Sequence, residues 1–146
     1  MKKLFLIITI VLISSVAGFA RDKYSRDQAS LPKAAVATIE NNFKSKISLI
    51  KTEKTIGIVT EYEVILNDGC EVCFDRDGNW FDIETPWNMS VPASFIPASV
   101  ADFVKKNHKG TRIIGFERDN KSYTAELSNG IEIKFDNKGN FKKYDN

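Results

Sequence analysis

The sequence states one pattern twice. Residues 62–83, YEVILNDGCEVCFDRDGNWFDI, lie over residues 123–144, YTAELSNGIEIKFDNKGNFKKY, with Tyr, Leu, Gly, Glu, Phe, Asp, Gly and Asn in identical places. Self-similarity at a fixed offset marks a supersecondary unit used more than once, and overlooking it misassigns the fold. Upstream, Leu31-Pro32 recurs as Ile96-Pro97 at an offset of 65 against 61 for the hairpins, so the first copy carries four extra residues between its helix and its second strand. The shared letters are turn formers and apolar residues, with no catalytic grouping among them.

Before the first copy, Met1-Lys2-Lys3 leads into an apolar run from Leu4 to Ile13 and then to small residues ending Gly18-Phe19-Ala20. A charged start, an apolar middle and a small-residue exit make a secretory signal peptide. The apolar run is shorter than the roughly 20 residues of a spanning helix, so no membrane anchor is expected after cleavage. Lys2 and Lys3 leave with the leader and no acid does, which balances the 21 basic against the 19 acidic side chains of the full chain. A balanced chain lacks the positive surplus that displaces counterions from nucleic acid, so no nucleic-acid partner is expected. The expected location is the periplasm or the exterior.

Two cysteines stand as Cys70-Glu-Val-Cys73. Three residues apart on a strand they point to opposite faces about 10 Å apart, beyond the roughly 7 Å that a disulfide spans. Thioredoxin-like redox chemistry needs the pair at a helix start after a strand, whereas the second copy places Ile131 and Lys134 there within a strand.

Val36, Ile39 and Phe43 make a helical stripe over residues 31–45, with Pro32 in the first turn where its missing N–H costs nothing. Ile96, Val100, Val104 and His108 repeat it. Residues 47–54 and 58–66 alternate as half-buried strands, followed by Asn67-Asp68-Gly69 or Ser128-Asn129-Gly130 as turns. Two further strands join across Asp75–Asn79 or Asp136–Asn140. The expected fold class is therefore α+β: two tandem repeats, each one helix followed by a four-stranded antiparallel meander. Tyr62, Val64, Leu66, Cys70, Val72 and Phe74 form the helix-facing set, and Glu61, Glu63, Ile65, Glu71 and Cys73 the wet one. The domain reading is a signal peptide at 1–20, a polar arm at 21–30, the first repeat at 31–84, a linker at 85–95 and the second repeat at 96–146.

Leu-Pro or Ile-Pro opening each helix, and Phe-Asp-x-x-Gly-Asn-[Trp/Phe] closing each hairpin, resemble the PepSY-like family of secreted bacterial proteins, also described as similar to β-lactamase-inhibitor proteins. The resemblance covers nearly the whole chain after the leader. It implies tandem α+β units, export, and a role in binding or restraining another protein, with an exported peptidase or other envelope protein as partner by analogy. No inhibitory contact residue carries over, because the matching motifs mark turns and core.

The residues offer three chemical motifs. Asp75-Arg-Asp77-Gly-Asn79 imitates the start of a calcium loop, but an EF-hand needs a bidentate Glu at position 12 and flanking helices. Glu84 falls at position 10, the flanks are strands, and the second copy has Lys138 in place of Asp77. A turn built on Asp and Gly explains both copies, so no metal and no cofactor are expected. Cys73 and His108 form a conceivable nucleophile and base, yet they belong to different copies and nothing directs them together. Glu61, Glu63 and Glu71 share a strand face suited to acid–base work, and a solvated face accounts for them.

Differences between the copies point to a binding surface. Phe81 stands where Lys142 does and Ile65 where Glu126 does. With Trp87 and Met89 of the linker, and Glu61 and Glu63 beside Ile65, they are the candidate partner-binding residues. Packing between the copies is the competing explanation for the aromatics. The functional expectation is a secreted, non-enzymatic binding protein, with a small-ligand carrier using the open sheet face, or a small enzyme or redox protein, as alternatives.

Overall fold

Alternation of apolar and polar residues gives every strand one dry face. In the computed structural model, which describes residues 23–145, nine such strands pair side by side in chain order. They are β1 (Lys23–Ser25), β2 (Ile47–Thr55), β3 (Ile58–Leu66), β4 (Glu71–Asp75), β5 (Trp80–Glu84), β6 (Ile113–Arg118), β7 (Ser122–Leu127), β8 (Glu132–Asp136) and β9 (Phe141–Asp145). Helix α1 (Lys33–Asn42) precedes β2 and α2 (Ala98–Asn107) precedes β6. The expected signal peptide at 1–20 lies outside the described residues.

This corrects the expected architecture. A fold of two tandem α+β repeats, each with its own four-stranded meander, is overturned: among the described residues one continuous nine-stranded antiparallel sheet carries only two α-helices, so this part of the chain is mostly sheet. The cause is the pairing of β5 with β6 through Asp82↔Glu117, Ile83↔Phe116 and Glu84↔Gly115. Separate meanders would leave two rows of backbone donors and acceptors unpaired, and this seam satisfies both. The ninth strand comes from the stretch expected as a polar arm, where Lys23–Ser25 pairs with Ile50–Thr52 of β2.

One cross-strand row defines the core. Ile50, Val64, Val72, Ile83, Phe116, Ala125 and Ile133 are register neighbours across seven strands, each at most 1% exposed. Ala35 and Ile39 of α1 and Val100 and Val104 of α2 belong to the same buried cluster, so both helices cover this face of the sheet. Pro32 and Pro97 each form the N-cap, with φ near −55°, and a fixed φ of that size prepares the chain for the first turn. Phe95, in a short 3-10 turn within the stretch expected as a linker, packs between Phe43 at the end of α1 and Trp80 of β5 at ring distances of 5.8 and 5.2 Å.

The β4–β5 turn reaches the N-terminus of α1. Gly78 sits at φ +87°, and a Cβ there would lie 2.9 Å from Pro32 Cβ; glycine alone meets both demands. The four extra residues lengthen the β2–β3 hairpin, whose strands run nine residues each against six in β6 and β7. Its tip holds Ile56 at φ +52°, with the side chain 83% exposed.

Candidate functional site

With both helices on one face, the opposite face of the sheet has no covering layer among the described residues. The register sets two rows on it. The first runs Ile65, Glu71, Glu84, Gly115, Glu126, Glu132, and ends on Asp145. The second runs Lys51, Glu63, Cys73, Asp82, Glu117, Thr124, Lys134, Lys143. Basic side chains therefore stand toward the two edges and carboxylates across the middle.

The electrostatics follow from that placement. Burial, then the carboxylates of Asp82, Glu71, Glu126 and Glu63, push Glu84 from 4.5 up to about 8. Burial also raises Glu71, helped by Glu63, and Glu126, helped by Glu132. A carboxyl taken from water next to like charge keeps its proton. Gly115 leaves room in the row: a Cβ there would lie 3.2 Å from Glu126 Oε2, so Glu126 leans across it toward Glu84. On β2, Lys51 Nζ meets Glu53 Oε1 at 2.7 Å and Glu63 Oε2 at 3.7 Å. That bond to Lys51 lowers Glu53, while burial and a shared hydrogen bond with Glu53 raise Glu61.

The turn motif is absorbed by its own backbone. Asp75 Oδ1 accepts from the amides of Asp77 and Asn79 at 2.9 Å each, and Asp75 Oδ2 from Asn79 Nδ2 at 3.0 Å. Asp136 repeats this with Lys138 and Asn140, which is the local reason the same letters recur in both copies. Among the described residues no group of three or more His, Cys, Asp or Glu side chains is placed to hold a metal ion.

Nucleophilic chemistry has no assembled centre at Cys73 and His108. Cys73 faces the open side of β4, whereas His108 caps α2 on the covered side and bonds Tyr144 Oη through Nε2 at 3.1 Å. Burial and then the surrounding carboxylates push the Cys73 thiol far up, and burial pushes Cys70 up to about 12. Both cysteines are free.

The six candidate partner-binding residues divide into groups. Glu61, Glu63 and Ile65 lie together, half-buried, on the open face. Phe81 sits at the other end of β5 from the linker, half-buried in a cavity shared with Trp80 and Arg118. Trp87 is 73% exposed, and its carbonyl accepts from Arg112 Nη2 at 3.1 Å. Met89 packs against the core. Phe81 and Trp87 are about 20 Å apart along an extended chain, so the apolar candidates make no single patch.

Sequence reasoning missed the carboxylates of β5 and the length of the acidic row. Period-2 alternation of Asp82 and Glu84 around Ile83 carried part of that signal, but the row exists only because β5 pairs with β6. It also missed Arg118, whose guanidinium stacks on Trp80 with Cζ 3.9 Å from the ring centroid.

Comparison with solved structures finds proteins of the same shape. A protein from Bacteroides vulgatus ATCC 8482, described as "a putative periplasmic protein of unknown function", is 38% identical with a TM-score of 0.80, over 86% of this chain and 100% of that one. A protein from Bacteroides thetaiotaomicron, described as "a putative calcium-regulated periplasmic protein", is 36% identical with a TM-score of 0.78, over 86% of this chain and 97% of that one. A second Bacteroides vulgatus periplasmic protein is 31% identical, with a TM-score of 0.75 over the same shares. No curated protein matches. The periplasmic location of these relatives is the one expected here. Among the described residues no helix is long and apolar enough to cross a membrane. A sequence profile described as "Putative beta-lactamase-inhibitor-like, PepSY-like" matches residues 60–143, and the chain belongs to that PepSY-like family.

Proposed function

We propose that this chain is a non-enzymatic periplasmic binding protein that receives a basic segment of another protein on the open, acidic face of its sheet. The observation that carries this reading is Glu84. It is held in a row with Glu71 and Glu126, where burial first and then the neighbouring carboxylates raise its pKa and no cation stands opposite them in that row. A lysine or arginine arriving over the row supplies that charge, and complementary charge of this kind sets specificity and on-rate. Ile65, Glu61 and Glu63 extend the surface toward β2, giving it an apolar contact beside the acidic ones. The inhibitor-like description of the family supports a protein partner, and an exported peptidase is one such partner by analogy.

Calcium, named for the Bacteroides thetaiotaomicron relative, takes six to eight oxygens gathered around one point. Here the carboxylates stand in a line at strand spacing, and no described group of three converges. Redox or nucleophilic chemistry lacks a low-pKa thiol, since reactivity follows the thiolate. The test is capture of periplasmic proteins on the immobilised chain beside a Glu71→Lys/Glu126→Lys variant, at low and high salt. A partner retained by the parent, lost on the variant and released by salt supports the reading. Identical capture by both baits refutes it.

A further inference from the structure

A second site lies on the helix-covered side of the sheet, away from the acidic face. The last turns of α2, the loop at 109–112 and the end of the proline-bearing connection enclose a groove of about 510 Å³, within the size range of small-ligand pockets. Short bonds hold its walls: the Thr111 amide and Oγ1 both donate to the His108 carbonyl, at 3.2 and 2.7 Å, and the Val91 amide donates to the Ile113 carbonyl at 2.8 Å. Val104, Ile113 and the half-buried Ile96 give the groove an apolar lining.

The charged residues of that lining are Lys105, Lys109 and Arg112, with no carboxylate among them. Among the described residues none of the three forms an ion pair. Arg112 Nη2 donates to the neutral Trp87 carbonyl at 3.1 Å, and Arg112 Nε is buried with no partner. Two negative contributions lie near. The C-terminus of α2 carries about half a negative charge, met in part by Lys106 of the same turn, which is outside the lining. Asp102, one turn back on α2, is exposed and also outside it. Against three cations these leave a positive surplus.

The other copy is an internal comparison. At the offset of 65 that relates the helices, Lys105 stands where the first copy has Glu40. The matching cavity behind α1, about 540 Å³, is lined in part by Glu40, whose Oε1 accepts from Gln28 Nε2 at 3.3 Å. That cavity keeps a carboxylate of its own, and the groove behind α2 has none.

Neither half of the lining suffices alone. Exposed ammonium groups hold a small hydrated anion weakly, and an uncharged apolar molecule leaves the cations without a partner. A molecule with both an anionic head and an apolar tail uses the whole groove. Lysine carries its charge on a flexible four-carbon stem, so Lys105 and Lys109 close over a bound head group without a preset orientation. We propose that this groove binds a free amphiphilic anion, a medium-chain alkyl carboxylate, with its tail along Ile96, Val104 and Ile113 and its head among Lys105, Lys109 and Arg112. The site does not depend on the open acidic face, and neither the family description nor the relatives assign it.

The full-length mature protein is titrated by calorimetry with hexanoate, octanoate, decanoate and octanol. Full transfer of a methylene is worth about fourfold in affinity, and half-burial in an open groove about twofold. The expected result is saturable binding of octanoate, tightening about twofold per methylene from hexanoate to decanoate, with octanol at least ~10-fold weaker. Lys105→Glu/Lys109→Glu, which places at 105 the acid that the first copy has, is expected to weaken octanoate at least ~10-fold. Both lysines are exposed, so the fold tolerates the change. Lys106→Glu, equally exposed but outside the lining, keeps the parent affinity. Affinity independent of chain length, octanol binding as well as octanoate, an equal loss in Lys106→Glu, or no saturable heat overturns the inference. So does co-sedimentation with phosphatidylglycerol vesicles in the absence of octanoate binding, which would assign the cations to an anionic bilayer surface. Capture of a partner on the open face is unchanged in the double variant, which keeps the two readings separable.

Discussion

Replacing Glu84 with glutamine tests the electrostatics of the open face. The folded carboxyl holds its proton to about pH 8 against an ordinary value of 4.5. The folded state therefore binds more protons than the unfolded state between those limits. Stability is fully present below about pH 4.5 and is lost as pH rises through about 8. In full, that displacement corresponds to about 5 kcal/mol. Glu84 is only half-buried, and its neighbours titrate with it, so screening by solvent reduces the contribution to about 1–2 kcal/mol. Glutamine keeps the shape of the protonated acid and cannot ionise. Glu84→Gln is therefore expected to match the parent at pH 5 and to be about 1–2 kcal/mol more stable at pH 9, measured by urea unfolding at both values. Glu71 and Glu126 are raised in the same direction and leave a smaller residual slope in the variant. A variant whose stability falls with pH as steeply as the parent's, or one less stable than the parent at pH 9, would refute the reasoning.

Two glycines with the same backbone conformation separate strain from crowding. Gly130→Ala, at φ +82° in open space, is expected to cost about 1 kcal/mol, whereas Gly78→Ala, at φ +87° against Pro32 and Ala35, costs about 2–4 kcal/mol by denaturant unfolding. Equal losses would mean that α1 yields to the turn. Native Cys70 and Cys73 are expected to resist a thiol-specific disulfide reagent at pH 8 and to react once urea unfolds the chain; rapid labelling of the folded protein would reopen redox chemistry.

Much of the strand pattern was legible because burial imposes period 2 locally. Of the set read as the covered face, Val64, Leu66, Cys70, Val72 and Phe74 are buried and Tyr62 is half-buried against the core, and Glu61, Glu63 and Ile65 fall on the opposite face as their spacing requires. The hairpin turns were legible for the same local reason: Asp75 and Asp136 bond amides only two and four residues on. Strand partnership was not legible at the seam. The choice of β6 as the neighbour of β5 is made across an α-helix and a proline-bearing connection, and nothing in Trp80–Glu84 alone distinguishes an edge strand from an internal one. That one choice turned separate meanders into a continuous sheet and joined Glu71 and Glu84 to Glu126. Arg118 was hidden for a similar reason, since its partner Trp80 is distant in sequence and cation–π stacking has no periodicity. The helix ends were also blurred: the stripe reached Phe43, but Phe43 is extended at φ −123° and closes α1 as its cap.

The unbroken left-to-right succession of strands has a geometric corollary for handling the molecule. β1 and β9 occupy opposite margins of the nine-stranded sheet, about 38 Å apart at ~4.8 Å per spacing before twist shortens the span. A tether at the amino end would hold one margin against a support and leave the other reaching outward, whereas joining the two ends into a circular chain would need a bridge of a dozen residues or more laid across a face of the sheet.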